Sequence, residues 1–273
     1  MNFLFWNTAQ KDLSSEVAKL ATERGTDFVI LAEAVDHAAS YLVSLNKRRQ
    51  SCLFGLAPSF VADGNRLRVF SRLPAGEIIP AATDRTCSVY HVHPAGGLPF
   101  TLACVHLPSA LHMTQDDRAA LAGETVRLIA GAEDSAGHTR TLVIGDFNMN
   151  PFEPGMIGSE AFHAILDRRI AATGQRKIQE RSRPFFYNPM WRFMNDDRLP
   201  YCGSHYYRKS VPFCHFWNTF DQVLIRPELL HAFDDAGLSL VDSVGGKSLL
   251  DANCRPNKLL HSDHLPIHLN LNL

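Results

Sequence analysis

Short apolar runs that end in a polar residue recur along this chain, from position 7 to position 264. Runs of this length are typical of buried β-strands, and strand ends are rigid positions beside exposed loops where functional side chains are well held. The side chains can converge only if both ends of the chain belong to one core, which predicts a single domain over residues 1–273. The polar residues at these strand ends are Asn7, Glu33, His106, Asp146, Asn148, Asp221, Asp263 and His264.

The spacing of apolar residues predicts helices that alternate with strands early in the chain and hairpins in its middle. Predicted strands cover residues 2–8, 28–31, 66–73, 85–93, 99–107, 141–144, 220–225 and 265–271. Predicted helices cover residues 11–24, 36–48, 114–132 and 159–170. This mixture favours an α/β fold of the α+β type over one doubly wound parallel sheet. We expect a four-layer α/β/β/α sandwich of two packed mixed sheets with outer helices.

The composition is that of a globular protein, because 45% of the residues are hydrophobic and only 20% are charged. The N-terminus has no basic start followed by an apolar run, and no stretch approaches the roughly 20 apolar residues that span a bilayer. The cysteines are widely spaced without C-x-x-C pairs and are expected to be reduced thiols. These features predict a cytoplasmic protein that does not associate with membranes, and no obligate protein partner is evident.

The charge is unevenly distributed. Residues 167–209 hold ten Lys or Arg against four acidic residues, a balance of +6 that leaves −7 on the rest of a chain whose net charge is −1. A basic segment on an acidic body fits a polyanion held near a carboxylate-lined metal site. A solvated helix followed by a solvated loop would carry the same charges, so both interpretations stay open.

Aromatic residues are concentrated in an irregular basic segment, predicted as an insert at about 181–219. Aromatic rings with interleaved Arg and Lys are used to stack bases and pair phosphates of nucleic acid, but a long insert also needs a small apolar core of its own. We expect both roles in part. The aromatic residues over 181–220 are Phe185, Phe186, Tyr187, Trp191, Phe193, Tyr201, Tyr206, Tyr207, Phe213, Phe216, Trp217 and Phe220.

The most specific motif is Ile144-Gly145-Asp146-Phe147-Asn148. It resembles the Gly-Asp-x-Asn motif of the endonuclease/exonuclease/phosphatase superfamily, which includes deoxyribonuclease-I-like and exonuclease-III-like enzymes. Position 32 holds Ala where the family commonly has Gln. Further motifs similar to those of the family follow in its order, namely Trp6-Asn7, Leu31-Ala32-Glu33, Val69-Phe70-Ser71-Arg72, Val105-His106-Leu107, Phe220-Asp221-Gln222 and Ser262-Asp263-His264-Leu265-Pro266.

The resemblance implies metal-dependent chemistry on phosphate esters. A phosphodiester resists attack because its oxygens are anionic and its leaving group is a poor alkoxide, and a hard cation counters both problems by withdrawing charge. Mg²⁺ keeps several waters and needs few protein carboxylates. Glu33 as principal ligand, with Asn7 and Asp263 nearby, is therefore chemically adequate, and Mn²⁺ is expected to substitute for Mg²⁺.

The remaining strand-end residues are expected to act on the phosphate and on water. Asp146 is interpreted as general base or water orienter, and the amide of Asn148 as a donor to the transition state. His264 and His106 supply further donors, and the family implies that Asp221 hydrogen-bonds His264. The predicted substrate-binding residues are Arg72, Arg183, Tyr187, Trp191, Arg192, Tyr207, Arg208 and Trp217.

The resulting prediction is a Mg²⁺-dependent phosphodiesterase that hydrolyses nucleic-acid phosphodiester bonds by in-line attack of water, with DNA favoured over RNA. A phosphomonoesterase or a phospholipase-type enzyme is the alternative within the same chemistry. Against the inositol phosphatases, the residues after Asn148 lack the Arg usual in that branch. A catalytically inactive binding module is the alternative from a different class.

Overall fold

The computed structural model describes residues 1–34, 38–47, 51–111, 113–210 and 214–273. Its α-helices are α1 (Ser14–Glu23), α2 (Ala38–Asn46), α3 (Gln115–Ala136), α4 (Pro154–Ile157) and α5 (Arg168–Ala171). Single 3₁₀ segments cover Ala75–Glu77, Pro189–Met194 and Pro227–Ala232. The strands are β1 (Asn2–Asn7), β2 (Phe28–Ala32), β3 (Gly55–Leu56), β4 (Leu67–Ser71), β5 (Ile78–Thr83), β6 (Cys87–Val92), β7 (Phe100–His106), β8 (Thr141–Asp146), β9 (Ala164–Ile165), β10 (Gln175–Ile178), β11 (Arg181–Pro184), β12 (Phe186–Tyr187), β13 (His205–Tyr206), β14 (Trp217–Asn218), β15 (Asp221–Ile225), β16 (Phe233–Leu240), β17 (Ser243–Val244), β18 (Lys247–Ser248) and β19 (Ile267–Leu271).

Two mixed sheets form the centre of the fold. One has the strand order β16-β19-β1-β2-β4-β3, and the other has the order β5-β6-β7-β8-β15-β12-β9. The pairs β1–β2 and β7–β8 are parallel, whereas β15 runs antiparallel to β8 and β19 runs antiparallel to β1. The sheets pack face to face, and the rings of Phe3 and Phe100 meet between them with centroids 6.0 Å apart. The predicted α/β sandwich is confirmed.

The helices lie outside the sheets and bury apolar side chains against them. Val17 and Leu20 of α1 belong to the same buried cluster as strands β1 and β2, whereas Ile129 of α3 packs in a second cluster with Val89 and Val105. The start of α3 is fixed by a capping box. This arrangement leaves the ends of the strands free to carry functional side chains.

Glycine at position 145 allows an unusually close approach of β7 and β8. A Cβ atom at Gly145 would lie only 1.9 Å from the carbonyl oxygen of Val105, so any side chain there would push the two strands apart. With glycine, the parallel register pairs Val105 with Gly145 and His106 with Asp146. The close packing of the two strands therefore sets two predicted site residues side by side.

Most predicted elements are present, but the predicted helix over 159–170 is wrong. The chain there makes a turn after α4, contributes the short strand β9 to a sheet, and then starts α5 with Asp167 as N-cap. His163 adopts a left-handed backbone (φ 48°), which interrupts a helix, and Phe162 is buried in the core. The predicted helix over 36–48 is observed as α2, and positions 36, 37 and 48 lie outside the described residues.

Strands β5 and β16 were not predicted. Proline interrupts the apolar pattern of β5, and acidic residues and a glycine interrupt that of β16.

Within the described residues, no helix has the length and apolar character needed to cross a membrane. All cysteines of the chain are free thiols, and Cys87 and Cys104 are buried in β6 and β7.

Candidate active site

The strand directions bring five predicted residues to one edge of the sandwich. Asn7 is the last residue of β1, and Glu33 follows the parallel neighbour β2. His106 and Asp146 are the last residues of the parallel strands β7 and β8. Asp221 is the first residue of the antiparallel strand β15 and lies opposite Asp146 in the register. Residues far apart in the sequence therefore meet at this edge.

The segment before β19 completes this edge through hydrogen bonds to β1. The indole Nε1 of Trp6 donates to the carbonyl oxygen of His264 at 2.9 Å. The hydroxyl of Ser262 donates to the carbonyl oxygen of Asn7 at 2.5 Å and accepts from the backbone N–H of His264 at 3.0 Å. These bonds hold Asp263 and His264 beside the ends of β1 and β8.

Asp146 is a deeply buried carboxylate, with only 1% of its surface exposed. Its Oδ2 accepts from the amide of Asn7 at 2.9 Å and from the amide of Asn148 at 3.2 Å. Its Oδ1 accepts from the backbone N–H of Asn148 at 2.8 Å. Burial raises the pKa of Asp146, against the opposing effect of the positive charge on His264. A carboxylate that is fixed by neutral amides and has a raised pKa is suited to general-base work.

Asp221 and His264 form a buried pair next to Asp146. The Nδ1 atom of His264 lies 2.8 Å from Oδ2 of Asp221. Burial disfavours the charged imidazole, but the charge of Asp221 and its hydrogen bond outweigh burial and raise the pKa of His264 to about 10. His264 is therefore a cation at neutral pH. Oδ1 of Asp221 is buried and has no hydrogen-bond partner among the described residues.

Glu33 faces His106 across the same edge. Nε2 of His106 lies 3.4 Å from Oε1 of Glu33, and the amide of Gln10 is 3.5 Å from Oε2. The hydrogen bond from His106 lowers the pKa of Glu33, although burial opposes this effect. Glu33 has a left-handed backbone (φ 50°), which is uncommon for a residue other than glycine. Such strain is typical of functional sites.

Solved structures with the same architecture cover the whole chain. The endonuclease domain of TRAS1, a telomere-specific non-LTR retrotransposon, matches with a TM-score of 0.55 and 13% identity over 100% of this chain and 98% of that one. A 3′ phosphatase, NExo from Neisseria, bound to a product DNA hairpin, matches with 0.56 and 16% over 100% of both chains. An endonuclease/exonuclease/phosphatase family protein from Leptotrichia buccalis matches with 0.56 and 13% over 100% of both.

The chain has the endonuclease/exonuclease/phosphatase fold. At these identities the match concerns the fold, and it confirms the resemblance seen in the sequence motifs. No protein-family model matches the chain, and no curated protein matches its sequence.

Three residues at the candidate active edge, where Asn7, Glu33, His106, Asp146 and Asp221 meet, offer oxygen ligands for a hard cation. Glu33 and Asp263 contribute carboxylates whose side chains are 25% and 39% exposed, so an ion can reach them. Asn7 contributes an amide oxygen that accepts from the N–H of Ala9 at 3.0 Å and keeps a second lone pair. Burial raises the pKa of Asp263, but the hydrogen bond from His205 and the charges of His264 and His205 bring it well below the usual range. An ionised, oxygen-only ligand set fits Mg²⁺.

His205 belongs to this site but was not predicted. It lies in β13, and its backbone bridges to that of His264, with the two rings 4.5 Å apart. Its Nε2 is 3.8 Å from Oδ2 of Asp263, and its ring stacks on Phe220 with centroids 5.2 Å apart. The sequence gives no signal for this role, because His205 lies in the irregular aromatic segment and in no strand-end motif.

Three of the predicted substrate-binding residues are engaged elsewhere in the endonuclease/exonuclease/phosphatase fold. Tyr187 is buried opposite Ile225, at the far end of β15 from Asp221, and its hydroxyl lies 3.3 Å from Oδ1 of Asp235. Arg192 donates to the carbonyl oxygen of Asp235 at 2.6 Å and to that of Leu238. Arg183 forms an ion pair with Glu160.

Arg72 is not brought to the active edge either. It follows β4, which runs antiparallel to β2, so it lies at the opposite edge of the sheet from Glu33. There its guanidinium donates to Asp27 at 2.5 Å and to the carbonyl oxygen of Gly25 at 3.1 Å. The Ser-Arg strand of the sequence motif therefore serves as an attachment point at the base of the fold.

The other predicted substrate-binding residues lie in or beside the β13–β14 pair that contains His205, or pack on the chain after Asn148. Tyr207 and Arg208 follow His205 by two and three positions and are exposed. Trp217 lies in the paired strand β14 and packs against Tyr206 with centroids 5.3 Å apart. Trp191 contacts Phe152, whose ring centroid is 6.5 Å away and which follows Asn148 by four positions.

The aromatic segment divides between core and surface. Five of its rings are buried, which confirms the core role for them, whereas Tyr207 and Phe216 are 45% and 46% exposed beside the site. Phe213 lies outside the described residues. The buried rings are Phe185, Phe186, Tyr187, Phe193 and Tyr201.

Proposed function

We propose that this protein is a metal-dependent phosphodiesterase that hydrolyses nucleic acid, with DNA as the favoured substrate. The observation that carries the proposal is the buried carboxylate of Asp146, which two asparagine amides hold beside the Asp221–His264 pair. The ligand atoms of Asp146, Asp221 and His264 all lie within 4.8 Å of one another. A base and a cationic donor therefore face the same small volume, which suits attack of water on an anionic ester.

The proposed roles follow from the geometry. Asp146 holds the attacking water and takes its proton, because burial raises its pKa and the amides of Asn7 and Asn148 fix its direction. The Nε2–H group of the cationic His264 donates a hydrogen bond to a phosphate oxygen where negative charge develops. Asp221 keeps that ring oriented and charged.

His106 and the metal ligands serve the other side of the phosphate. His106 lies between Asp146 and Glu33 and is placed to offer a second donor. A divalent cation held by Glu33, Asn7 and Asp263 would withdraw charge from the phosphate oxygens. The asparagine at position 148 also donates to the carbonyl oxygen of Leu107 at 2.8 Å, which fixes the loop that contains it.

The structural neighbours support this reaction class. One is described as an endonuclease domain and another as a 3′ phosphatase bound to a product DNA hairpin. The phosphatase neighbour favours one second candidate, hydrolysis of a terminal phosphate from a DNA end. Release of inorganic phosphate from a 3′-phosphorylated oligonucleotide, compared with strand cleavage of an unphosphorylated one, distinguishes the two reactions.

A cleavage assay tests the proposal directly. Purified protein with Mg²⁺ should degrade single-stranded, double-stranded or abasic DNA, and EDTA should stop the reaction until Mg²⁺ or Mn²⁺ is restored. Asp146→Asn should lower the rate on the order of a hundredfold or more. The matched control is Asp134→Asn, an exposed carboxylate at the end of α3. Full activity in EDTA or in Asp146→Asn would contradict the mechanism.

The exposed residues after β13 are proposed to bind the nucleic-acid strand. Arg208 can pair a phosphate, and Tyr207 offers an exposed ring for stacking, a contact worth about 1–3 kcal/mol per base. Arg208→Ala and Tyr207→Ala should therefore raise KM by about tenfold and change kcat little. Arg198→Ala is the control, because Arg198 is also exposed in the same segment but pairs with Asp196. An equal effect of the control would refute a specific role.

We further propose that the chain forms a single domain in a reducing compartment. The chain should unfold as one domain, so limited proteolysis should give no stable half, and two separate unfolding transitions would contradict this. The free thiols favour a reducing compartment such as the cytoplasm. Protein from the native source should therefore react at every cysteine with an alkylating reagent under denaturing conditions without prior reduction.

A further inference from the structure

His205, Asp263 and His264 converge at the mouth of the candidate active site. Nε2 of His205 lies 3.8 Å from Oδ2 of Asp263, and Nε2 of His264 lies 4.0 Å from Oδ1 of the same carboxylate. The ligand atoms of the three residues all lie within 4.8 Å of one another. Each carboxylate oxygen thus faces one imidazole nitrogen.

We propose that these three residues form a second cation site, which binds a borderline transition metal of the Zn²⁺ class. The donor set differs from the oxygen-only set of Glu33 and Asn7, with which it shares Asp263. Imidazole nitrogen suits Zn²⁺, whereas Mg²⁺ prefers oxygen and retains its waters. The two sets are therefore expected to select different ions.

The surroundings of His264 support a ligand role. Histidines that bind metals nearly always donate their other ring N–H to a carboxylate, a carbonyl or water, which fixes the tautomer and the ring orientation. Asp221 stands behind His264 in this way, with Oδ2 at 2.8 Å from Nδ1. The arrangement directs Nε2 of His264 towards Asp263. The contact with Asp221 is independent of the distances within the trio. The ion must displace the Nε2 proton, so Zn²⁺ at this site and the proposed donation from His264 to a phosphate oxygen exclude each other.

The spacing requires an inward adjustment of the ligands. Zinc binds nitrogen and oxygen at about 2.0–2.2 Å, so ligand atoms in a tetrahedral site lie about 3.4 Å apart. The separations of 3.8 and 4.0 Å end at different oxygens of Asp263, and all ligand atoms lie within 4.8 Å of one another, so the side chains must rotate inward when the ion binds. His205 is held by its backbone bridge to His264 and by its stack on Phe220. Three protein ligands leave one position open for water or substrate.

Calorimetric titration of the whole protein with Zn²⁺ in excess Mg²⁺ tests the site. We expect one Zn²⁺ per chain, and His205→Ala should weaken binding by at least about a hundredfold, because losing a ligand costs more than losing the 10–100-fold contribution of an outer-shell partner. His205→Asn is a second variant that keeps a polar side chain there. The control is His215→Ala, an exposed histidine in the hairpin loop between β13 and β14, which should bind Zn²⁺ as the wild type does.

Cobalt spectroscopy identifies the ligands. Co²⁺ bound at this site should show visible absorption from nitrogen and oxygen ligands without a sulfur-to-cobalt charge-transfer band. Unchanged Zn²⁺ affinity in both folded His205 variants would overturn the proposal, as would a sulfur band, which would place the ion on cysteines. Equal loss of Zn²⁺ in Glu33→Gln would assign the ion to the oxygen-donor set. None of these measurements needs turnover, so the outcome is separate from that of the proposed hydrolysis.

Discussion

The two ends of the β8–β15 strand pair differ in how their buried charges are balanced. At one end, Nε of Arg226 donates to Oε1 of Glu133 at 2.8 Å and Nη2 donates to Oε2 at 3.0 Å. At the other end, Asp146 and Asp221 lie opposite each other, and His264 supplies the cation. One end of the strand pair therefore borders a compensated ion pair, and the other end borders a cluster with excess negative charge.

The compensated end is fully hydrogen-bonded. Each guanidinium nitrogen of Arg226 donates, since Nη1 reaches the carbonyl oxygen of Phe185 at 3.2 Å, and the group lies 3.8 Å from the ring centre of Phe186. Thr141 donates its hydroxyl to Glu133 at 2.6 Å. At the active end, by contrast, Oδ1 of Asp221 has no partner among the described residues. Charge is balanced where it stabilises the fold and left unbalanced where a cation and an anionic substrate are proposed to bind.

The largest effect should come from the active end. Asp221→Asn should lower the hydrolysis rate by about 10²–10⁴, because His264 loses the negative charge that keeps it protonated and oriented. The free energy of unfolding should fall by less than at the compensated end, because His264 can release its proton once the charge of Asp221 is gone. Initial rates and urea unfolding of the same preparation measure both. Asp234→Asn on the exposed face of β16 is the control, and an active Asp221→Asn enzyme would break the comparison.

The reverse result is expected at the compensated end. Arg226→Met leaves Glu133 buried without its partner, which should cost about 3–5 kcal/mol of unfolding free energy while kcat of the folded enzyme stays the same. The double variant Glu133→Leu with Arg226→Met removes both charges and should recover most of that loss. Urea unfolding curves measure each value. A single variant as stable as the wild type would remove the distinction between the two ends.

The smallest effect concerns pH and neither end of the pair. Burial, reinforced by the charge of Arg24, lowers the pKa of His268 to about 4, so the folded protein prefers the neutral ring. The free energy of unfolding is therefore unaffected by this ring above the pKa of histidine in the unfolded chain, near 6.5. It decreases as the pH falls from there towards 4. His268→Gln should flatten the fall in unfolding free energy over this range by on the order of 1 kcal/mol, allowing for partial exposure. An unchanged pH profile would contradict this role.

The sequence alone predicts which residues meet at this edge of the sandwich, because its signals are local. An apolar run followed by Asp or Asn identifies a strand end, and parallel strands such as β7 and β8 place their ends together. The resemblance to a known family orders the motifs along the chain. Both arguments depend on a few adjacent residues. This explains why the sequence is sufficient to predict that the strand-end residues meet at one edge.

The features that the sequence does not predict depend on contacts between residues far apart in the chain. His205 enters the site through a bridge to His264, and nothing in its neighbouring residues indicates that partner. Arg183 and Arg192 stand among aromatic residues, as nucleic-acid-binding residues do, yet their contacts are a distant carboxylate and the backbone of β16. The helix expected over 159–170 is replaced by a turn and the strand β9, because pairing with β12 outweighs local helical spacing.

The left-handed backbone of Glu33 lowers the stability of the fold at a residue that is proposed to bind the metal ion. Residues other than glycine are disfavoured in this conformation by roughly 1–2 kcal/mol. Glycine avoids this cost, although its greater freedom in the unfolded chain lowers the stability of the folded state by about 0.5–1 kcal/mol. Laboratory evolution under temperature selection alone should therefore enrich glycine at position 33 and yield robust but inert descendants. Any programme to harden this protein needs a turnover screen at every round.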